Sequence, residues 1–423
     1  MLDVRLPELR PFAFDGNFGL EREALRVTSE GRMAHTPHPF PVDHPRIVRD
    51  FCENQTEINT RVWPTAEGAV AELGTLNAEI LRVLGNGERG ANGEYLWSFS
   101  NPPPLAGAED VIPAKFDGAL SGKATYRDYL SAKYGRYLMT YCGIHVNFSF
   151  GERLLDAGGI TLRCDRDALY LHVAAGSVLW GWIVVALTSA SPIADASFFG
   201  DRSCDAFTGF ASLRCGDLGY WNHFVPVNDF TSVEAYAETI RGYVKRGLIS
   251  APSELYYPVR LKPRGANRLE ALVENGIDHI ELRCIDLNPL CGGLVDVRDV
   301  EFIRLFLLWC AGRPPARLSE RIQVQAVRNF KNAARYNLDH ARIAFPDGTT
   351  SSVGEAALRL IASMERFFAD FGEETRDVLA FQRGKLELPD TRYAARVRER
   401  FTGTFAAKGL EWAKRQTREA FNV

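Results

Sequence analysis

The chain has 423 residues, 46% hydrophobic and 24% charged, with a formal charge of −3, a composition that can bury a large core. So small a net charge gives no electrostatic reason to bind nucleic acid or an anionic membrane, and small solutes are the expected partners. The eight cysteines, at 52, 142, 164, 204, 215, 284, 291 and 310, form no Cys-x-x-Cys pair, which argues against a zinc site or a disulfide framework and for reduced thiols.

The first residues carry neither the basic segment nor the apolar run of a signal peptide, so a cytoplasmic location is expected. Residues of about 17–27 and 50–60 read as strands. In the first, Glu21 and Glu23 share a face because side chains two apart on a strand point the same way. In the second, Glu53, Gln55, Glu57 and Asn59 form a polar face. Helical spacing from Ala66 to Leu84 stops in Gly85-Asn86-Gly87-Glu88-Arg89-Gly90-Ala91-Asn92-Gly93. That run matches G-x-G-x-x-G, but a helix precedes it and Pro102-Pro103-Pro104 soon follows, so it reads as a turn and not a dinucleotide site.

A helix is expected over about 125–135, then a strand from Thr140 to Phe150 in which His145 and Asn147 share a face. Leu169 to Ala190 is 22 residues without Asp, Glu, Lys or Arg, long enough to cross a bilayer. It has no companion span, and a buried core helix, apolar all round, is the better reading. Ser189-Ala190-Ser191-Pro192 ends it, and a polar, glycine-bearing region, expected to be an active-site loop, leads to Ser212-Leu213-Arg214 and Asp217-Leu218-Gly219-Tyr220. A helix fits Ser232 to Lys245 and a strand fits Tyr256 to Lys262. The strand His279-Ile280-Glu281-Leu282-Arg283 places Glu281 with Arg283 and runs into Asp286-Leu287-Asn288-Pro289. Helices dominate from Asp299 onward. Strands that follow one another without regular crossover helices favour an antiparallel sheet, hence an α+β fold. No linker or repeat divides the chain.

Each acidic pair, taken alone, is more often a solvated strand face, and His145 alone is more often a hydrogen-bonded core histidine. Their joint occurrence in apolar strands, where unpaired charge is costly to bury, points instead to one shared concavity. Several carboxylates and one histidine, without thiolate, suit Mg²⁺ or Mn²⁺ better than zinc. Magnesium completes its octahedron with water and phosphate oxygens, so such a cluster implies a bound nucleotide triphosphate and phosphoryl transfer. Arg283, with Arg260, Lys262 and Arg264 close by, supplies positive charge for the moving phosphoryl group. No Walker A sequence occurs, so metals and a sheet would hold the nucleotide.

Five ordered blocks carry a family resemblance: Gly19-Leu20-Glu21-Arg22-Glu23-Ala24-Leu25-Arg26-Val27; Asp50-Phe51 to Glu57; Tyr134-Gly135 with Gly143-Ile144-His145-Val146-Asn147-Phe148-Ser149; Ser212-Leu213-Arg214 with Asp217-Leu218-Gly219-Tyr220; and Ile280-Glu281-Leu282-Arg283 with Asp286-Leu287-Asn288-Pro289. Together they resemble the bacterial glutamate–cysteine ligases. The resemblance implies a glutamine-synthetase-like fold, a curved antiparallel sheet forming a half-funnel backed by helices. It implies one catalytic unit over 1–423, best matched over 17–312, with 313–423 a helical C-terminal part. Glu21, Glu23, Asp50, Glu57, His145 and Glu281 match the positions that bind Mg²⁺ and thereby ATP. Glu281 and Arg283 match the catalytic positions, Arg283 and Lys262 are expected to bind the nucleotide, and Arg214, Tyr126, Tyr220 and Tyr256 match amino-acid contacts.

The implied reaction joins the γ-carboxylate of glutamate to the amine of cysteine through a γ-glutamyl phosphate, consuming ATP. The part after residue 312 and the compact 195–212 loop depart from the family pattern, which leaves a γ-glutamyl ligase with another amino acid or amine acceptor as the alternative. A phosphotransferase and a silent binding protein of the same fold are the readings from other classes. No C-terminal ATP-grasp domain follows, so the fused bifunctional enzymes are not expected.

Overall fold

The computed structural model describes residues 1–85, 93–116, 122–199, 206–403 and 405–421. The glycine-rich run read as a turn lies, from residue 86 to 92, outside the described residues, as do residues 200–205 of the expected loop and Cys204. The other seven cysteines are free thiols.

A seven-stranded sheet organises the chain. Its strands are β1 (Gly16–Val27), β2 (Ile47–Arg49), β3 (Gln55–Asn59), β4 (Tyr95–Trp97) and β5 (Gly143–Phe150). Beyond the small separate pair β6 (Ile193–Ala194) and β7 (Ala206–Phe207), β8 (Val259–Pro263) and β9 (Ile277–Asp286) complete it. The order is β2-β3-β1-β5-β9-β8, with β4 also on β1, and every ladder is antiparallel, as expected.

The helices are α1 (Ala66–Gly85), α2 (Gly122–Tyr134), α3 (Glu152–Ala157), α4 (Arg163–Trp180), α5 (Trp182–Thr188), α6 (Val233–Lys245) and α7 (Leu269–Asn275). They continue with α8 (Val297–Ala311), α9 (Glu320–Ala333), α10 (Val353–Phe367), α11 (Glu373–Glu387), α12 (Tyr393–Phe401) and α13 (Phe405–Phe421). Ser232, Asp296 and Ser319 each accept a backbone N–H at a helix start, and Ser352 with Glu355 forms a capping box, satisfying donors that the helix itself leaves free.

Even-numbered residues of β1 face the helices. Phe18, Leu20 and Ala24 are buried there, and Arg22, also buried, donates to Asn77 Oδ1 of α1 at 2.7 Å. The odd positions face the other way, which leaves Glu21 and Glu23 on the open side of the sheet. Behind it, α1, α4, α5 and α8 cover β1, β5, β8 and β9.

The apolar stretch from Leu169 is not one helix. It breaks at Gly181 into α4 and α5, bent by 57°. A Cβ at Gly181 would lie 2.4 Å from Ser177 O and 2.9 Å from Phe330 Cζ, so glycine lets α9 approach the bend. No single helix among the described residues is long and apolar enough to cross a membrane, although this bent pair passes by length and composition.

Residues 50–60 do not form one strand either. The chain turns between β2 and β3, where Gln55 N donates to Cys52 O, and Asp50 and Glu53 sit in that turn. β2 and β4, of three residues each, are too short to show a period. The tail contains a further hairpin, β10 (Arg342–Ala344) with β11 (Thr350–Ser352). Its helices pack back onto the body: buried Asp299 on α8 accepts from Lys385 (2.6 Å) and Gln382 (2.9 Å) of α11 and from Tyr393 OH (2.8 Å) of α12.

Candidate active site

Register decides which acidic side chains meet. Glu21 on β1 pairs with His145 on β5, Glu23 with Glu57 on β3, and Asn147 on β5 with Glu281 on β9, which in turn pairs with Arg260 on β8. Five of the groups on this face are hydrogen-bonded in two sets. His145 Nδ1 lies 2.9 Å from Glu21 Oε2, Asn147 Nδ2 donates to Glu21 Oε1 at 3.1 Å, and Arg283 Nη1 donates to Glu281 Oε1 at 2.9 Å. A β-bulge sets two residues of β9, Arg283 and Cys284, against His145, and such an extra residue re-aims a side chain. Arg283 Nη1 consequently comes within 3.3 Å of His145 Nδ1.

The sheet face opens into a cavity of about 350 Å³. Glu21, Glu23, Asp50, Glu57, His145, Lys262, Arg283 and Arg214 line it, together with Tyr126, Arg127, Tyr220, Ser253 and Tyr256. Glu281 lies beneath it, fully buried, with Lys262 Nζ 3.2 Å from its Oε1. Every residue matched to a metal, catalytic, nucleotide or amino-acid position is therefore at this cavity or directly under it. Arg264 is not: it is exposed beside Asp278, at 3.4 Å. Arg260 lines the cavity, but its guanidinium is engaged with the carbonyls of Ser253 and Leu255. Of the polar face read along 53–59, only Glu57 reaches the cavity. Glu53 instead accepts from His38 N (2.8 Å) and Lys115 N (2.9 Å), and Gln55 is buried against Cys142.

Reading the sequence missed Arg127. Its Nε donates to the carbonyls of Asp50 (2.9 Å) and Phe51 (3.2 Å) and so pins the turn that carries Asp50. No local signal distinguishes it from other helix-surface arginines.

Two electrostatic regimes coexist. Burial, then the neighbouring Asp50, pushes Glu23 up to about 8. Burial and Asp50 drive Glu57 well above its ordinary range, and burial raises Asp50 itself against the pull of Arg127. Three crowded carboxyl groups resist ionising together. Burial also acts to raise Glu281, but Arg283 and Lys262 outweigh it and hold the group below its usual value. Its Oε2 is buried with no hydrogen-bond partner among the described residues. Burial and Arg283 keep His145 well below its usual range, and a neutral imidazole is the form that ligates metal.

One ligand atom each from Glu21, His145 and Glu281 lie within 4.8 Å of one another. An ionised carboxylate with an unused oxygen, a neutral imidazole and a crowded acidic rim fit a hard divalent cation.

Arg214 closes the site from the loop side. Its guanidinium donates to Arg283 O at 2.8 Å and Ile285 O at 3.3 Å, and among the described residues no carboxylate pairs with it. Carbonyls hold its guanidinium, which also lies 3.4 Å from His145 Nε2 and lowers the buried Glu23 carboxyl electrostatically. Gly143 makes room, since a Cβ there would sit 2.2 Å from Arg214 Cζ. In the same cavity the Tyr220 and Tyr256 ring centroids lie 4.0 Å apart, and Tyr126 OH is 3.1 Å from Ser253 Oγ.

An open antiparallel sheet with its ligand face lined by carboxylates and arginines, and helices behind, is a glutamine-synthetase-like fold. The glutamate–cysteine ligase family model matches residues 7–248 and 225–333, and the chain belongs to that family. The bifunctional glutathione biosynthesis protein GshAB of Listeria monocytogenes is 33% identical over 419 residues, 94% of this chain and 53% of that protein. The glutamate–cysteine ligase of Clostridium acetobutylicum is 28% identical over 375 residues, 76% of each. The chain thus spans about half the length of the bifunctional relatives it matches. Among solved structures, glutamate–cysteine ligase from Francisella tularensis in complex with AMP superposes with a TM-score of 0.85 at 23% identity, covering 96% of this chain and 89% of that one. The bifunctional glutathione synthetase from Pasteurella multocida gives 0.82 at 26%, covering 99% and 54%.

Proposed function

We propose that this chain is an ATP-dependent ligase that joins the γ-carboxylate of L-glutamate to the amine of L-cysteine, yielding γ-glutamylcysteine, ADP and phosphate. The observation that carries the reading is the cavity with its floor: a divalent-cation donor set of Glu21, His145 and the underlying Glu281, with Arg283, Lys262 and Arg214 beside it. Family membership and the AMP complex of the Francisella relative support the same nucleotide chemistry.

Glu21, Glu23, Asp50, Glu57, His145 and Glu281 would hold Mg²⁺, or Mn²⁺, which when bound supplies positive charge to the triphosphate. An oxygen of glutamate's γ-carboxylate attacks the γ-phosphorus of ATP and the bond to ADP breaks, giving an acyl phosphate. Arg283, kept protonated beside Glu281, offsets charge on the transferring phosphoryl oxygens. The acceptor amine then attacks the acyl carbon, phosphate leaves, and the nitrogen loses a proton. Arg214 orients a substrate carboxylate, and Tyr126, Tyr220 and Tyr256 form the amino-acid wall; burial from water protects the acyl phosphate.

An acceptor screen tests this. Purified chain, glutamate, Mg²⁺ and ATP are incubated with single amino acids and amines while ADP and amide product are followed. Cysteine is expected to rank first. A different leading acceptor would make the chain a γ-glutamyl ligase of other specificity, and ADP release without amide would remove the ligase reading.

A further inference from the structure

The Asp286-Leu287-Asn288-Pro289 motif lies just beyond the catalytic face of β9. Asp286 ends β9, directly opposite Gly143, and is buried. Its side chain does not line the cavity. Its Oδ2 accepts from Ser191 Oγ at 2.6 Å and Ala190 N at 2.9 Å, and its Oδ1 accepts from Ser212 Oγ at 2.9 Å. Three donors from two segments, 190–191 and 212, thus converge on one carboxylate.

The second segment carries Arg214. Ser212 Oγ also accepts from Cys215 N at 3.1 Å, and Leu213 N donates to Ser191 O at 3.2 Å, so the backbone on both sides of Arg214 hangs from the Ser191–Asp286–Ser212 junction. At its other end the guanidinium rests on the carbonyls of residues 283 and 285 of β9. One strand therefore grips Arg214 twice, by its tip through carbonyls and by its backbone through Asp286.

We propose that Asp286, acting through Ser212 and Ser191, is the positioning residue that sets Arg214 against the substrate carboxylate. The inference rests on the ligase reading above, because it needs a substrate anion at Arg214. Ala211 N and Ser212 N also bond Ala334 O, so the segment stays on the body without Asp286, and what Asp286 adds is the finer placement of the guanidinium, where displacements of about 1 Å cost on the order of a hundredfold in rate. A carboxylate serves here better than an amide, since both its oxygens accept and all three partners donate.

The test compares wild type, Ser212→Ala, Ser191→Ala and Asp286→Asn in the full chain, each also in an Arg214→Lys background. KM for glutamate, cysteine and ATP and the melting temperature are measured. Ser212→Ala and Asp286→Asn are expected to raise KM for one amino-acid substrate by about ten- to a hundredfold while KM for ATP stays within about twofold. In the Arg214→Lys background that effect is expected to vanish, since coupled residues are non-additive. Equal losses for ATP and amino acids, or full additivity with Arg214→Lys, would reduce Asp286 to a fold-stabilising group. Should Asp286→Asn not fold, the two serine variants carry the same comparison. An inactive wild type would sink both readings; an active wild type with unchanged serine variants would sink the positioning role alone.

Discussion

Glu281 Oε1 receives the Arg283 guanidinium at 2.9 Å, two residues along the same strand, while Glu281 Oε2 has no partner among the described residues. One oxygen is thus neutralised by the protein, and the proposed metal role gives the other to the cation. Glu281→Gln keeps the shape, removes the charge and strands Arg283 and Lys262. Breaking such a buried pair costs about 3–5 kcal/mol, and kcat is expected to fall by roughly two to three orders of magnitude, the scale for losing one electrostatic group at a reacting centre. Steady-state turnover at saturating Mg²⁺ checks it; near-normal turnover would mean that Glu281 has no metal role.

Magnesium binding has a readout that needs no catalysis. Because Glu23, Asp50 and Glu57 oppose one another's ionisation, a bound divalent cation is expected to stabilise the fold, by about 2.7 kcal/mol at a hundredfold excess over Kd. Thermal unfolding with Mg²⁺ against chelator measures it, and Glu57→Gln should diminish the shift. No shift in wild type would contradict the assignment.

Gly143→Ala is the cleanest probe of Arg214. The new methyl group would meet the guanidinium tip and nothing else closer, so the side chain swings away while the sheet stays intact. We expect at least about tenfold weaker amino-acid use, the loss typical of a charged hydrogen bond, with a melting temperature close to wild type. Kinetics that match wild type would show that Arg214 does not touch substrate.

Tyr126 lines the cavity, with its hydroxyl 3.1 Å from Ser253 Oγ. Tyr126→Ala is expected to raise KM for the acceptor amino acid several-fold, about 1 kcal/mol for one lost side-chain contact, and to leave KM for ATP nearly unchanged. Equal rises in both would place Tyr126 outside the acceptor site.

Acid sensitivity is expected from Glu254, which is fully buried and accepts from Lys133, Tyr134 OH (2.7 Å), and Ser250 N and Oγ. Burial acts to raise its pKa, but these partners together hold it below the ordinary glutamate value. A depressed carboxyl contributes stability above its unfolded pKa and loses it as pH falls through the folded one. Glu254→Gln should therefore be less stable than wild type near pH 7, with the gap closing on acidification below the usual glutamate range. Denaturant unfolding from pH 7 to pH 3 tests this; a constant gap would show that the charge is not what stabilises. The same network reaches the site, because Asn222 bridges Tyr134 OH (3.0 Å) and Tyr256 N (2.8 Å).

Alternation within single strands was enough to gather Glu21 with Glu23, His145 with Asn147, and Glu281 with Arg283, because a period of two is a property of the backbone and survives whatever packs around it. Tertiary structure alone decided the rest. Asp50 owes its place to a turn and to Arg127, the bulge in β9 turns Arg283 toward His145, and Arg214 is set by Asp286 from 72 positions away in number. None of these leaves a local trace, since register, bulges and loop anchors arise from pairing between distant segments, and a single strand does not record which neighbour it will meet.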